Sequence, residues 1–416
     1  MNWGRYAQDR LSEIARCSVY EIGVTRFPFT PEHKAAIGVI QSWMVQAGLQ
    51  VHMDAAGTLI GRKQGPNGVP TLLIGSHQDS VKSGGRYDGI MGIVLGCLAL
   101  EKLRAEAVEL PFSVEILAFA DEEGVRFPTA LMGPRALAGT FDPAVLDMKD
   151  KDGVSLRRAL ADFGGDPDGV SSLARDPSKT AGYLEIHIEQ GPVLEAVDAA
   201  LGIVTGICGI ERNTVTFAGD TGHAGTVPMD SRRDALVAGS DFISAIHDAA
   251  INIPDLRATV GALSLHPNVV NAIPSKVELT LEIRALDDTV RDNFARSARS
   301  VGDRISGLRR VDFAMERTYE QPAVPCDINM IGDLETAVAA IGHSAPRLPS
   351  GATHDASAMA DLCPTSMLFV RCKDGLSHKP EEFASTEDMG AGIEAVARFL
   401  KRIGQSGLSD GKSKHR

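Results

Sequence analysis

Four short apolar runs in this chain each deliver a histidine or an acid at the carboxyl end. TLLIGS leads into His77, ILAFAD into Glu122 and Glu123, YLEIHI carries His187, and MLFVRCKDGLS leads into His378. Runs of this length, bounded by turn residues, read as strands buried on both faces, and such strands belong to parallel sheets. Residues 71–75, 113–120 and 183–188 are expected as strands, and 89–106 as a buried helix opening at glycine. Strands interleaved with helices predict an α/β fold, a mixed, largely parallel sheet with helices on both faces. Open sheets of that kind build their sites at the carboxyl ends of the strands. One histidine among eleven would mean little; four signals at equivalent strand ends point to a single site.

The texture changes near residue 209. Strand patterns at 212–218, 258–265, 275–284 and 310–317 alternate with helical patterns at 231–250 and about 287–306. This βαββαβ order predicts a ferredoxin-like α+β unit with one open sheet face. After residue 326 the first texture returns, with a helix at 327–342, a strand at 366–372 and a helix at 386–403. The expected organisation is a catalytic α/β domain in two parts, 1–210 and 326–416, around an inserted lid and dimerisation domain at 211–325. The polar tail is expected to fray from about 404.

The formal net charge of −12 is spread along the chain, which argues against a nucleic-acid partner. Acids at 9, 13 and 21 and the lack of an apolar core exclude a signal peptide from the first residues. No apolar run approaches the ~20 residues needed to span a bilayer, so no membrane partner is expected. The six cysteines are scattered without a CxxC pair, which fits a reducing cytoplasm.

The residue types then suggest chemistry. His77 offers a ring nitrogen to a metal, and Asp79, two residues on, can orient that ring. Asp88 lies in the glycine-rich turn YDGIMG, where it either bridges two cations or caps the next helix. Adjacent Glu122 and Glu123 repel each other unless a cation intervenes. One can bind metal while the other acts as general base.

The motifs GSHQDSVKSGGRYDG, DEEGVRF, YLEIHIEQGPVLE, GHAGTVPMDSRRDAL, NVVNAIPSKVELTLEIR, SGATHDA and MLFVRCKDGLSHKPEE follow one another in this order. From about residue 10 to 403, the chain resembles the hydantoinase/carbamoylase branch of the M20 metallopeptidase clan, which includes allantoate amidohydrolases and N-carbamoyl-L-amino acid hydrolases. The resemblance implies two divalent ions per subunit, Zn²⁺ or Mn²⁺ with Co²⁺ as a substitute. Asp88 would bridge them, His77 and His187 would complete one position, and Glu123 and His378 the other. Glu122 would be the base. His187 stands where peptidase members of the clan carry a carboxylate, which argues against a dipeptidase or aminoacylase. No ligand or base is lost, which argues against an inactive binding module.

The resemblance also implies a homodimer with a shared active site. His223, Asn271 and Arg284, with Arg212 a weaker candidate, would reach a substrate in the partner subunit. There His223 would face the oxyanion and Arg284 a carboxylate. Gln190 would contact the ureido group or serve as a buried structural residue, and Gly351 and His354 would line the pocket loop. Two departures from the branch are Gln78, where it commonly has an apolar residue, and Thr353, where it commonly has glycine. The expected substrate is a small ureido carboxylate. Allantoate comes first on the resemblance of AVPCD and MADLC, an N-carbamoyl-L-amino acid second and β-ureidopropionate third.

Overall fold

The computed structural model describes residues 1–406; most of the tail expected to fray lies outside them. Among the described residues thirteen strands follow in chain order. The first six are β1 (Gln50–Met53), β2 (Leu59–Lys63), β3 (Thr71–His77), β4 (Ser113–Phe119), β5 (Thr180–Ile188) and β6 (Leu201–Ile207). Next come β7 (Gly209–Ala218), β8 (Arg257–His266), β9 (Lys276–Ala285) and β10 (Asp312–Gln321). The last are β11 (Val324–Pro325), β12 (Arg347–Ser350) and β13 (Thr365–Val370). The chain divides into two compact units. One comprises Met1–Thr205, Cys326–Leu348 and the residues from Thr353; the other comprises Gly206–Pro325 and Pro349–Ala352. The second unit therefore starts earlier than 211 and takes in four residues from a later stretch.

The first unit is built on a sheet of order β1-β2-β4-β3-β5-β13-β6. Its centre is parallel: β3 pairs with β4 and β5, and β5 with β13. Every residue of β3, β4 and β13 is buried, as strands covered on both faces require. The flanks β1, β2 and β6 run antiparallel, and the sequence reading missed them. β1 is only four residues long, and β2 carries a glycine and two basic residues. Because the central strands run one way, His77 and Phe119, and His187 and Phe369, sit side by side in register at one sheet edge.

Helix Ile90–Ala105 lies against that sheet with Ile93, Val94, Leu95, Cys97 and Leu98 all at most 1% exposed. Burial of aliphatic side chains this complete contributes about 1.5–3 kcal/mol each as an upper bound. Gly92 sets the closeness: a Cβ there would stand 2.1 Å from the Ile186 carbonyl oxygen. The final helix, Thr386–Ser406, reaches three residues beyond its expected end. Where the chain leaves this unit and returns, Cys326 N–H donates to the Thr205 carbonyl at 3.0 Å.

The second unit is a four-stranded antiparallel sheet of order β10-β7-β9-β8. Helices Ala235–Ala250 and Asp288–Arg309 cover one face, capped by Asp234 and Asp287. Strict alternation along β9 sends Val277, Leu279, Leu281 and Ile283 into a core with Phe217, Phe242 and Phe294. The first helix begins at Ala235, not 231, because Met229–Ser231 forms a separate 3₁₀ turn. Among the described residues no disulfide forms, and no helix is long and apolar enough to cross a membrane.

Candidate metal centre

His77 ends β3, and its Nδ1 donates to the Asp79 backbone carbonyl at 3.1 Å. His187 lies near the end of β5, and its Nδ1 donates to the Ile188 carbonyl at 2.9 Å. These bonds set the tautomers, so both Nε2 lone pairs point into the site. The His187 Nε2 also accepts from the Gly89 N–H at 3.3 Å. Gly89 has a φ of +63°, and a Cβ on it would stand 2.4 Å from the His77 ring; only glycine fits both demands.

Asp88 occupies the centre. Its Oδ1 lies 3.1 Å from His187 Nε2 and 3.5 Å from His77 Nε2. Its Oδ2 lies 3.3 Å from His378 Nε2, which in turn is 3.7 Å from Glu123 Oε2. Of the two readings of Asp88, the cap is excluded: helix Ile90–Ala105 has Gly89 at its N-cap and no side-chain cap bond. The ligand atoms fall into two groups of metal-site dimensions, His77 with Asp88 and His187, and Asp88 with Glu123 and His378.

Glu122 and Glu123 are held by their backbones: both N–H groups donate to Asp79, at 3.1 and 3.2 Å. Asp79 thus positions both glutamates as well as lying 3.4 Å from His77 Nδ1. Glu122, His77 and Glu123 form a third overlapping group. The electrostatics match a site built for positive charge. Burial drives Glu122 well above its ordinary pKa, partly opposed by His77. Burial, with repulsion from Asp88, lifts Glu123 to about 7. Burial also acts on Asp88, but His187, His378 and His77 outweigh it and hold the carboxyl well below its usual range. Glu123 Oε1 is buried with no hydrogen-bond partner. Nitrogen and oxygen donors, with one carboxylate oxygen unsatisfied, suit a divalent cation.

Other residues from the sequence reading border this cluster. His354 lies beside the cluster, grouped with His187 and Glu185 at metal-site distances. It is 1% exposed, and its ring packs edge-on against His187 with centroids 4.6 Å apart. The Gln190 amide nitrogen is turned onto Asp88 Oδ2 at 2.9 Å and Ser377 Oγ at 3.1 Å. Gln78 is fully buried; its Nε2 donates to the Ala118 carbonyl at 3.5 Å and its Oε1 has no hydrogen-bond partner.

In the second unit, His223 pairs with Ala272 in an isolated bridge, next to Asn271, whose carbonyl accepts from Ala224 N–H at 2.9 Å. His223 Nδ1 accepts from Gly225 N–H at 3.1 Å, which leaves the proton of the neutral ring on Nε2. Arg284 donates to Glu282 at 2.7 Å and to the Gly351 carbonyl at 2.5 Å. Arg212 shares Glu282 from the neighbouring strand and is stacked 5.0 Å over Tyr319.

These residues do not form one constellation. In the β7–β9 register Ala218 faces Lys276, and Gly209 faces Ala285. His223 and Asn271 therefore sit beyond one end of the strands and Arg284 at the other, roughly 25 Å apart at about 3.4 Å per residue. No small substrate spans that distance. The sequence reading also missed Ser377 and Glu382, whose contacts with Asp88 and its neighbours are described below. Their signal was present in the motif ending SHKPEE, beside His378.

Comparison with known proteins places these features in context. Residues 73–402 match the description "Peptidase family M20/M25/M40". The chain is 40% identical over 384 residues to an N-carbamoyl-L-amino acid amidohydrolase of Geobacillus stearothermophilus, covering 92% of this chain and 94% of that protein. It is 37% identical to an allantoate deiminase of Arabidopsis thaliana, covering 94% of this chain and 81% of the other. A crystal structure of a hydantoinase/carbamoylase family amidase from Burkholderia multivorans superposes with a TM-score of 0.90. Identity there is 32%, with 96% of this chain and 97% of that one covered.

Proposed function

This chain belongs to peptidase family M20/M25/M40, and from that premise we propose that it hydrolyses the carbamoyl group of a small ureido carboxylate at a two-cation centre. The observation that carries the reading is the Asp88 carboxylate, whose two oxygens face two separate ligand groups. Two divalent cations, Zn²⁺ or Mn²⁺ with Co²⁺ able to substitute, would be held by His77, Asp88 and His187 and by Asp88, Glu123 and His378; such ions acidify water and polarise a carbonyl.

The residues supply the rest. Glu122 takes the proton of the attacking water at its carboxylate as oxygen adds to the carbamoyl carbon. The same carboxylate returns the proton to the leaving nitrogen and one C–N bond breaks, giving the freed amine and carbamic acid; the carbamic acid then loses its remaining C–N bond to give ammonia and CO₂. His223, with its proton on Nε2, donates to the carbonyl oxygen as negative charge develops there. The Gln190 amide nitrogen is occupied by Asp88, so contact with the ureido N–H falls to its amide oxygen. Arg284, anchored by Glu282 and Gly351, pairs with the substrate carboxylate.

The separation of His223 and Asn271 from Arg284 divides their work. Arg284, tied to the Gly351 carbonyl, is assigned to a different site from the one that His223 and Asn271 of the same chain reach. His223 and Asn271 serve the site of a second copy. A homodimer is supported by the unpaired outer edge of β8, with Leu263 44% exposed, beside a helix exposing Val237.

Allantoate remains the first expected substrate, on the segments AVPCD and MADLC. The higher identity to the Geobacillus protein favours an N-carbamoyl-L-amino acid as the second reading. Ammonia release from allantoate, N-carbamoyl-L-amino acids, N-carbamoyl-β-alanine, matched N-acetyl compounds and dipeptides, with metal-reconstituted protein, tests both. Ureido compounds should be turned over far faster than the others. A preference for dipeptides would overturn the proposal.

A further inference from the structure

Asp88 can serve two cations only if its carboxylate is held in one orientation, and an aspartate side chain rotates readily about its last torsion. The structure surrounds it with a cradle of Glu382, Ser377 and Gln190, of which Glu382 and Ser377 bind no substrate atom in the mechanism above. Glu382 is 3% exposed. Its Oε1 accepts from the backbone N–H of Tyr87 at 2.8 Å and of Asp88 itself at 3.0 Å. Its Oε2 lies 3.1 Å from Ser377 Oγ, and that hydroxyl lies 2.8 Å from Asp88 Oδ2. The Gln190 amide closes the ring on the same Oδ2.

Two backbone features allow this closure. A Cβ on Gly85 would stand 2.1 Å from the Glu382 carboxylate, so only glycine lets Glu382 reach the turn. Gln190 is held at a φ of +57°, a left-handed conformation that is strained for a non-glycine residue and persists where surrounding contacts enforce it.

We propose that Glu382 is the positioning residue for Asp88, acting through the backbone of the Tyr87–Asp88 turn and through Ser377 and Gln190. The donors of the cradle bear on Oδ2 alone, while Oδ1 faces only the two buried histidines. The two cation positions are therefore unequal. Losing the cradle frees Oδ2 to turn away from Glu123 and His378, whereas His77 and His187 keep their own backbone anchors. The position on the Glu123 side depends on Glu382; the position on the His77 side does not.

The inference rests on the two-cation reading, and the experiment separates the two. Metal-free wild type, Glu382→Ala, Glu382→Gln and Ser377→Ala are titrated with CoCl₂. Stoichiometry is followed by elemental analysis, coordination by visible absorption, and thermal unfolding is measured on the metal-free proteins. Wild type should take two ions. Glu382→Gln, which keeps the acceptor for the two N–H groups and can donate to Ser377, should take two as well. Glu382→Ala and Ser377→Ala should each keep one tight ion and bind the second ~10–100-fold more weakly, the range for loss of a residue supporting a metal ligand. Ser377→Ala decides the matter if Glu382→Ala does not fold. Wild type binding no cobalt would overturn the two-cation reading itself. Wild type binding two ions with Ser377→Ala and Glu382→Ala unchanged would overturn only the role of Glu382. So would equal loss of both ions together with a lowered unfolding temperature of the metal-free variants, because that marks a purely structural residue.

Discussion

The Nε2 atoms of His77 and His187 face each other 3.5 Å apart, each ring fixed from behind through its Nδ1. Two lone pairs and the Asp88 oxygen converge on one small volume, an arrangement that is costly without positive charge at its centre. Chelation should therefore abolish turnover, and Mn²⁺ or Zn²⁺ should restore it. Because the folded chain binds the ion and the unfolded chain lacks the site, the unfolding temperature should rise with metal concentration. Full activity in protein shown to be metal-free by elemental analysis would remove the basis for the site.

Glu122 and Glu123 should fail differently. Glu122→Gln keeps the ligand groups on both sides of Asp88 and should retain two ions while losing ~10²–10⁴-fold in rate. Glu123→Gln weakens one ligand group and should lose an ion as well as activity. Metal analysis beside kcat reads the difference; the reverse pattern would mean that the two roles are exchanged.

Complementation distinguishes residues that act across the dimer from residues that act within one chain. Co-expressed Glu122→Ala and His223→Ala chains pair at random, so about half the dimers are mixed and each holds one site with two intact halves. About a quarter of wild-type activity should return. Glu122→Ala with Arg284→Ala should not recover as the first pair does, because Arg284 does not share a site with His223 of the same chain. Recovery in the second pair, or none in the first with mixed dimers demonstrated, would refute this division.

His33 carries a pH dependence away from the metal centre. Its Nδ1 accepts from Phe29 N–H at 2.9 Å, and burial, assisted by Arg26 and Lys34, lowers its pKa to about 3. An unfolded histidine titrates near 6.5. Between those values the unfolded chain binds a proton that the folded chain does not. Stability should therefore fall as pH drops from about 6.5 toward 3, with no contribution from this group above that window. His33→Asn, which can keep the acceptor, should flatten the fall. Urea midpoints at pH 7 and pH 5 for both proteins check this, and equal falls would exclude His33 as the cause.

The part of the site that lies at strand ends was legible because β3, β4, β5 and β13 are buried, mostly apolar runs that announce themselves and their final residues. Ser377 and Glu382 sit in a polar loop whose spacing follows no period, and only their contacts with Asp88 give them meaning. His354 looked like a loop residue; its place against His187 depends on long-range packing. The separation of Asn271 from Arg284 was legible in principle, since the strand between them is itself the spacer.

The hydrogen bond from Cys326 to Thr205 joins the points where the chain departs for the second unit and comes back. Termini this close are what a self-contained module needs to be spliced into a host without disturbing it. A short glycine linker in place of residues 206–325 would ask the host sheet to change little. The excised protein would be a cation-binding body stripped of His223, Asn271 and Arg284. Such a pair of proteins, with and without the detour, would separate what the metal ligands do alone from what the substrate contacts add.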